Sequence, residues 1–281
     1  MREIDSPDRR IPRATAGLAG CYVYGVVPMD RPIALPGPGI NNTRVYTIPF
    51  TDIGAVVHDC PAEPYSAWDM KLVREWVKSH QGVLDEARAL FDTVIPFGFD
   101  TIIRGADGGP AGAAVADWLS ADYPRLKALL ERMRGKDEYG LQIFYDPAVI
   151  GVRLMAQEDL KSVRSQIEVM SPGLAYLYRR RLETMLRAEM GCLADGWFQD
   201  MYRRVRPLCV EVVFDKIKKM GKDKVMLLNL SCLVARESVN ELGEELDMIN
   251  RLEGFSVHFS GPWPPYTFVG RTSPALERSQ A

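Results

Sequence analysis

Three histidines, His58, His80 and His258, are all that 281 residues contain, and that scarcity narrows the chemistry open to the chain. There is no HExxH, no GxSxG and no GxGxxG following a strand, so zinc hydrolysis, nucleophile-elbow chemistry and dinucleotide binding lose their usual signatures. The five cysteines, Cys21, Cys60, Cys192, Cys209 and Cys232, are odd in number, scattered and never spaced CxxC. That pattern predicts buried thiols in a reducing compartment, with neither a disulfide framework nor a metal site. Charge of one sign is missing too: 35 basic against 37 acidic side chains, a net charge of -2, leave no basic excess to neutralise phosphates, so nucleic acid is not an expected partner. No apolar run approaches the ~20 residues of a membrane span. Arg9-Arg10 and Leu18-Ala19-Gly20-Cys21 resemble export and lipid-attachment signals, but the stretch between them is short and carries Arg13. The expectation is a cytoplasmic protein.

What the chain does have is alternating patterns of two periods. Residues 1–19 and 271–281 lack periodicity and read as tails. Tyr22 to Val27 is a β-branched and aromatic strand stopped by Pro28, and Pro32 to Gly39 reads as a loop. Arg44 to Phe50 and Ile53 to Cys60, with only Thr51-Asp52 between them, predict a hairpin. Ser66, with Asp69 three residues on, predicts a capped helix whose core stripe is Leu72, Trp76, His80, Val83, Ala87 and Leu90. Val94 to Ile103 returns as an interrupted edge strand. The glycine-rich turn 105–110 lacks the Lys-Ser/Thr ending of a phosphate loop. A further helix carries Val115, Leu119, Leu126, Leu130 and Met133, kinked or restarted at Pro124. Tyr139 to Asp146 reads as the last strand of the first domain.

Beyond it, residues 148–172 read as a helical linker. A helix capped by Ser171-Pro172 carries Leu174, Tyr178, Leu182, Leu186, Met190, Leu193, Trp197 and Met201 on one stripe. Leu208 to Phe214 and Met226 to Val234 then alternate as strands, Ser238 and Glu241 form a capping box, and Phe255, Val257 and Phe259 alternate in a closing strand with His258 facing solvent. The order helix, strand, strand, helix, strand is most of a ferredoxin-like βαββαβ plan. The fold class expected is α+β: two domains, 20–147 and 173–270, with ferredoxin-like antiparallel sheets and packed helices, joined by helical segments.

A search for catalytic groups finds one pair. His58 and Cys60 are two apart on a strand and share a face, but no third group orients the imidazole and nothing depresses the thiol pKa. No catalytic residue, metal, cofactor or small-molecule substrate is expected. The conspicuous segment is Gly261-Pro262-Trp263-Pro264-Pro265-Tyr266-Thr267-Phe268, where prolines stiffen an extended backbone that displays three aromatic rings. Such a strip either wraps over its own domain or docks a partner, the second reading assigning partner binding to Pro262, Trp263, Pro264, Pro265, Tyr266 and Phe268.

This strip resembles the GPWPPYSF signature of the gas vesicle protein family GvpL/GvpF, with Thr267 in place of serine. Tyr22-Val23-Tyr24-Gly25-Val26, Ile53-Gly54-Ala55-Val56-Val57, His80 with Val83-Leu84, Lys136-Asp137-Glu138-Tyr139-Gly140, Tyr176-Leu177 and Leu228 to Val234 are similar to other family blocks in order and spacing. Pro96 to Thr101 departs from the family's P-x-R-F-G-T, lacking the arginine and with its glycine displaced. The resemblance implies two α+β domains of modified ferredoxin-like character. It implies a non-enzymatic accessory protein for the assembly of gas vesicles, located at the vesicle or in the cytoplasm. The expected partners are the small shell protein or other accessory gas vesicle proteins. Two other readings compete: a ligand-sensing regulatory module with ferredoxin-like sheets, and a cysteine-dependent enzyme using Cys60 and His58.

Overall fold

The computed structural model describes residues 20–105, 109–155, 165–218 and 224–270. Two compact units emerge, one from residues up to Gly135 together with those from Pro264 onward, the other from Lys136 to Trp263.

The first unit is an antiparallel sheet centred on β1 (Gly20–Pro28). With β2 (Ala34–Pro38), β3 (Arg44–Phe50), β4 (Ile53–Cys60) and β5 (Ile95–Pro96) the order is β2-β3-β4-β1-β5, and β6 (Ile102–Arg104) also pairs with β1. The expected hairpin forms with the expected ends, and Thr51 takes the positive φ of 52° that a two-residue loop needs. β2 lies where a loop was expected. Every residue of β1 before Pro28 is buried because a helix covers each face of the sheet. Trp76, Val83, Leu84 and Ala87 of α1 (Met70–Phe91) pack on Tyr22, Tyr24, Val27, Val45 and Val56. α2 (Ala111–Met133) lies on the other face, where Tyr123 meets the Phe50 ring. A bulge between Val23 and Gly25 lets Tyr24 and Gly25 both turn toward α1. A side chain at Gly25 would strike the Ile95 carbonyl at 2.6 Å.

Two local expectations are corrected. Asp69, not Ser66, caps α1, its carboxylate accepting from the Lys71 N–H at 2.8 Å. α2 runs unbroken through Pro124, because the carbonyl that proline leaves unpaired belongs to Ser120 on the exposed face, where water can serve it.

The second unit is a four-stranded antiparallel sheet in the order β10-β7-β9-β8, formed by β7 (Lys136–Tyr145), β8 (Glu211–Phe214), β9 (Val225–Ala235) and β10 (Phe255–Trp263). Thus the strand assigned from sequence to the end of the first domain is a central strand of the second sheet, paired with β9 and β10 over nearly its whole length. It supplies the strand that the βαββαβ plan lacked. Its helices include α3 (Pro147–Met155), α4 (Pro172–Val205) and α5 (Val239–Asn250). Ile150 and Leu154 of α3 sit in this unit's core with Leu141, Ile143, Met201, Val205, Leu228, Leu230 and Leu246. α3 is therefore part of the second unit, and the chain passes between units at Gly135/Lys136 and Trp263/Pro264 without an intervening helix. The Ser238 capping box does not form, since a 3-10 turn over Arg236–Ser238 already holds Ser238 in helical geometry.

Candidate functional site

A buried concentration of titratable groups in the first unit lies between β1, β4 and α1. Alternation along β1 and β4 turns Tyr22, Tyr24, His58 and Cys60 toward α1, which contributes His80. The Tyr22 hydroxyl stands 2.9 Å from His80 Nδ1 and accepts from the Asp100 N–H at 3.0 Å. His58 Nε2 is 2.9 Å from the Tyr65 hydroxyl, while its Nδ1 is buried without a partner. Tyr22 stacks on His58 with ring centroids 4.9 Å apart, and Tyr24 stacks on His80 at 5.4 Å. His80 Nε2 completes the network 3.2 Å from the hydroxyl of Tyr266, from the proline-aromatic strip.

Burial sets the protonation of this cluster. It pulls His58 down to about 4 and His80 likewise to about 4. It pushes the Cys60 thiol up to about 11, and Tyr65 up to about 12. At neutral pH the imidazoles are uncharged and the thiol protonated, the reverse of the thiolate and imidazolium that a cysteine nucleophile requires. Apart from His58 Nδ1, the network's groups satisfy one another, which makes it a rigid polar core. Among the described residues no three His, Cys, Asp or Glu side chains are placed to hold a metal ion.

The loop that departs from the family pattern closes this cluster. Asp100 stands in the left-handed region at φ 70°, a conformation suited to glycine. Its carboxylate accepts from the Tyr65 N–H at 2.8 Å, a bond that glycine could not make.

The strip divides between inward and outward roles. Pro264, Pro265 and Phe268 are buried and Tyr266 is half-buried against the first unit's core, so this part of the strip belongs to the first unit and does not wrap over the C-terminal domain to which the sequence assigned it. Arg132 of α2 reaches the Phe268 carbonyl at 3.4 Å. Pro262 and Trp263 are exposed, Trp263 by 43%. Trp263 closes β10, an edge of the second sheet, opposite Glu138. Of the six residues given to partner binding, these two are the ones presented outward. His258 is exposed, as its register predicts.

Two features escape pattern reading. One is the Tyr22-x-Tyr24 spacing, which the strand period places on one face but which says nothing of the histidines it meets. The other is α4, whose apolar stripe is continuous in sequence although, among the described residues, its first half packs on a small satellite cluster of Ile167, Ala175 and Leu182. There Leu174, Tyr176, Leu177, Tyr178 and Met185 are exposed. A shallow depression of about 230 Å³ lies between α5 and β10, lined by Leu246, Asp247, Asn250, Val257 and Phe259. It is smaller and more open than sites that enclose small molecules. No helix of the described residues is long and apolar enough to cross a membrane.

Residues 20–270 match the model of the family described as gas vesicle synthesis protein GvpL/GvpF. Gas vesicle protein L2 of Halobacterium salinarum is 32% identical over 260 residues, covering 89% of this chain and 91% of that protein. Gas vesicle protein L of Haloferax mediterranei is 29% identical, over 82% of this chain and 72% of that one. The crystal structure of GvpF from Anabaena sp. PCC7120 superposes with a TM-score of 0.67, over 89% of this chain and 98% of that one, at 22% identity. That structural similarity establishes a shared fold.

Proposed function

The chain belongs to the GvpL/GvpF family of gas vesicle synthesis proteins, and on that premise we propose that it is a non-enzymatic assembly factor that binds the small shell protein, or another accessory gas vesicle protein, during nucleation. The observation that supports this reading is Trp263, an exposed indole held between Pro262 and Pro264 on an edge strand whose continuation is anchored by buried Phe268. A rigid aromatic anchor binds at low entropic cost, and an edge strand offers unpaired backbone to an incoming segment. The neutral state of the His58 and Cys60 side chains favours this reading over the cysteine-dependent enzyme. The protein works at the vesicle or in the cytoplasm.

Co-expression with the shell protein followed by affinity capture tests the proposal. A stable complex that weakens with Trp263→Ala is the expected result. Normal vesicle formation in cells lacking this chain would refute it.

A further inference from the structure

The first half of α4 carries an apolar face that its own fold leaves uncovered. Successive residues turn by 100°, which gathers Leu174, Leu177, Tyr178, Arg181 and Met185 into an arc of about 100° beside the buried seam of Ala175 and Leu182. Exposures of 45% for Leu174, 62% for Leu177, 41% for Tyr178 and 53% for Met185 put this arc in solvent. The apolar surface of these four side chains is on the order of 350 Å², a size at which patches on soluble proteins mark interaction sites, while exposed Tyr176 lies on the other side of the helix.

Among the described residues the charge bordering the arc is one-sided. Arg180, Arg181 and Arg187 are exposed along and within one border, and among the described residues none meets a carboxylate. Arg180 instead lies over the Tyr176 ring, 5.9 Å from its centre. The opposite border is the buried seam, with Glu189 beside it. From Pro172 to Met190 four arginines face two glutamates, in a chain whose net charge is -2.

We propose that the stripe from Leu174 to Met185 docks an amphipathic helix of a partner protein whose apolar face is flanked by acidic side chains. Three turns of helix, about 16 Å, match the i, i+3, i+4, i+7 anchors of such a helix lying alongside. Acidic flanks would meet Arg180, Arg181 and Arg187, which have no carboxylate partner among the described residues. A helix lying on a lipid surface needs the whole of its apolar face free, whereas the Ala175 and Leu182 side of this stripe is already packed on Ile167. The inference rests on the assembly reading only in taking the partner to be a gas vesicle protein.

Cys192 lies two turns beyond Met185 on the same face and is the exposed one of the five cysteines. The full chain, labelled there with an environment-sensitive fluorophore, can be titrated with three probes. Two are synthetic leucine-faced helices of about 15 residues, one flanked by Glu and one by Lys, and the third is phosphatidylglycerol vesicles. The Glu-flanked helix should saturate the signal and bind about tenfold more tightly than the Lys-flanked one. Leu177→Asp should weaken it at least tenfold, and the triple reversal R180E/R181E/R187E should invert the preference. Because these side chains are exposed, core hydrogen exchange should be unchanged in both variants; if Leu177→Asp loses helix, Leu177→Ala serves in its place. Equal binding of both helices, a preference that survives the reversal, or saturation by vesicles alone would overturn the proposal. Shell-protein capture that is indifferent to Leu177→Asp would also sink it while leaving the assembly reading intact. Loss of capture with the Glu-flanked helix still bound would do the converse.

Discussion

Lowering the pH from 7 to 5 should weaken the first unit by about 4 kcal/mol through two buried imidazoles. Folding holds both His58 and His80 at about 4, below the ordinary 6.5, because burial disfavours their charged forms. The unfolded chain therefore binds more protons than the folded one between those values. Stability is fully present above about pH 6.5, falls as the pH drops, and the loss levels off below about 4. Linkage makes the loss about 2 kcal/mol for each histidine at pH 5 and about 3 kcal/mol at pH 4. The groups that face the two rings are Tyr22, Tyr24, Tyr65 and Tyr266, with Asp100 joined to them through Tyr22 and Tyr65. No cation among them offers a competing charge. Urea unfolding at pH 7, 6 and 5, with hydrogen exchange resolving the two units, reads the effect directly. His58→Phe should remove about half of the slope, because the stacked ring is retained and the titration is lost. A first unit equally stable at pH 7 and 5, or a variant that keeps the full slope, would refute the reasoning.

Tyr22→Phe should cost about 2–4 kcal/mol in urea denaturation, since it strands both His80 Nδ1 and the Asp100 N–H in a buried site. Asp100→Ala should cost about 2–3 kcal/mol, combining left-handed backbone with the lost bond to Tyr65, whereas Asp100→Gly should be nearly neutral because relief of the backbone offsets the bond. Phe268→Ala should destabilise the first unit by about 3–5 kcal/mol, while Trp263→Ala should change the unfolding free energy by less than about 1 kcal/mol and act on partner capture instead. Equal stability losses from these last two would show that the strip is not divided in the way described.

Much of the architecture was legible because burial imposes a period. The β3–β4 hairpin and the Trp76, His80, Val83 and Ala87 stripe of α1 appear where alternation and helical spacing put them, although Leu90, at the end of that stripe, is exposed. The assignment of β7 was not legible, since an alternating strand reports that it has a buried face but not which sheet provides its neighbours. Its partners, β9 and β10, lie about 90 and 115 residues further along. α4 failed differently: leucine and tyrosine recur at core spacing along its whole length, and only the tertiary structure shows that the first half has no main core beneath it. In the proline-aromatic strip, composition announced a surface made for contact. Burial then divided that contact between the chain's own core and the solvent.

The two crossings at Gly135/Lys136 and Trp263/Pro264 make the second unit an insertion within the first, entering and leaving on neighbouring strands. The first unit thus receives Tyr266 and Phe268, which finish its core, only after the whole inserted stretch has left the ribosome. At roughly 5–20 residues per second that interval is on the order of ten seconds. Until then His80 lacks the hydroxyl that will face its Nε2. The newborn amino-terminal sheet thus keeps an unfinished core over a window whose length is set by its guest.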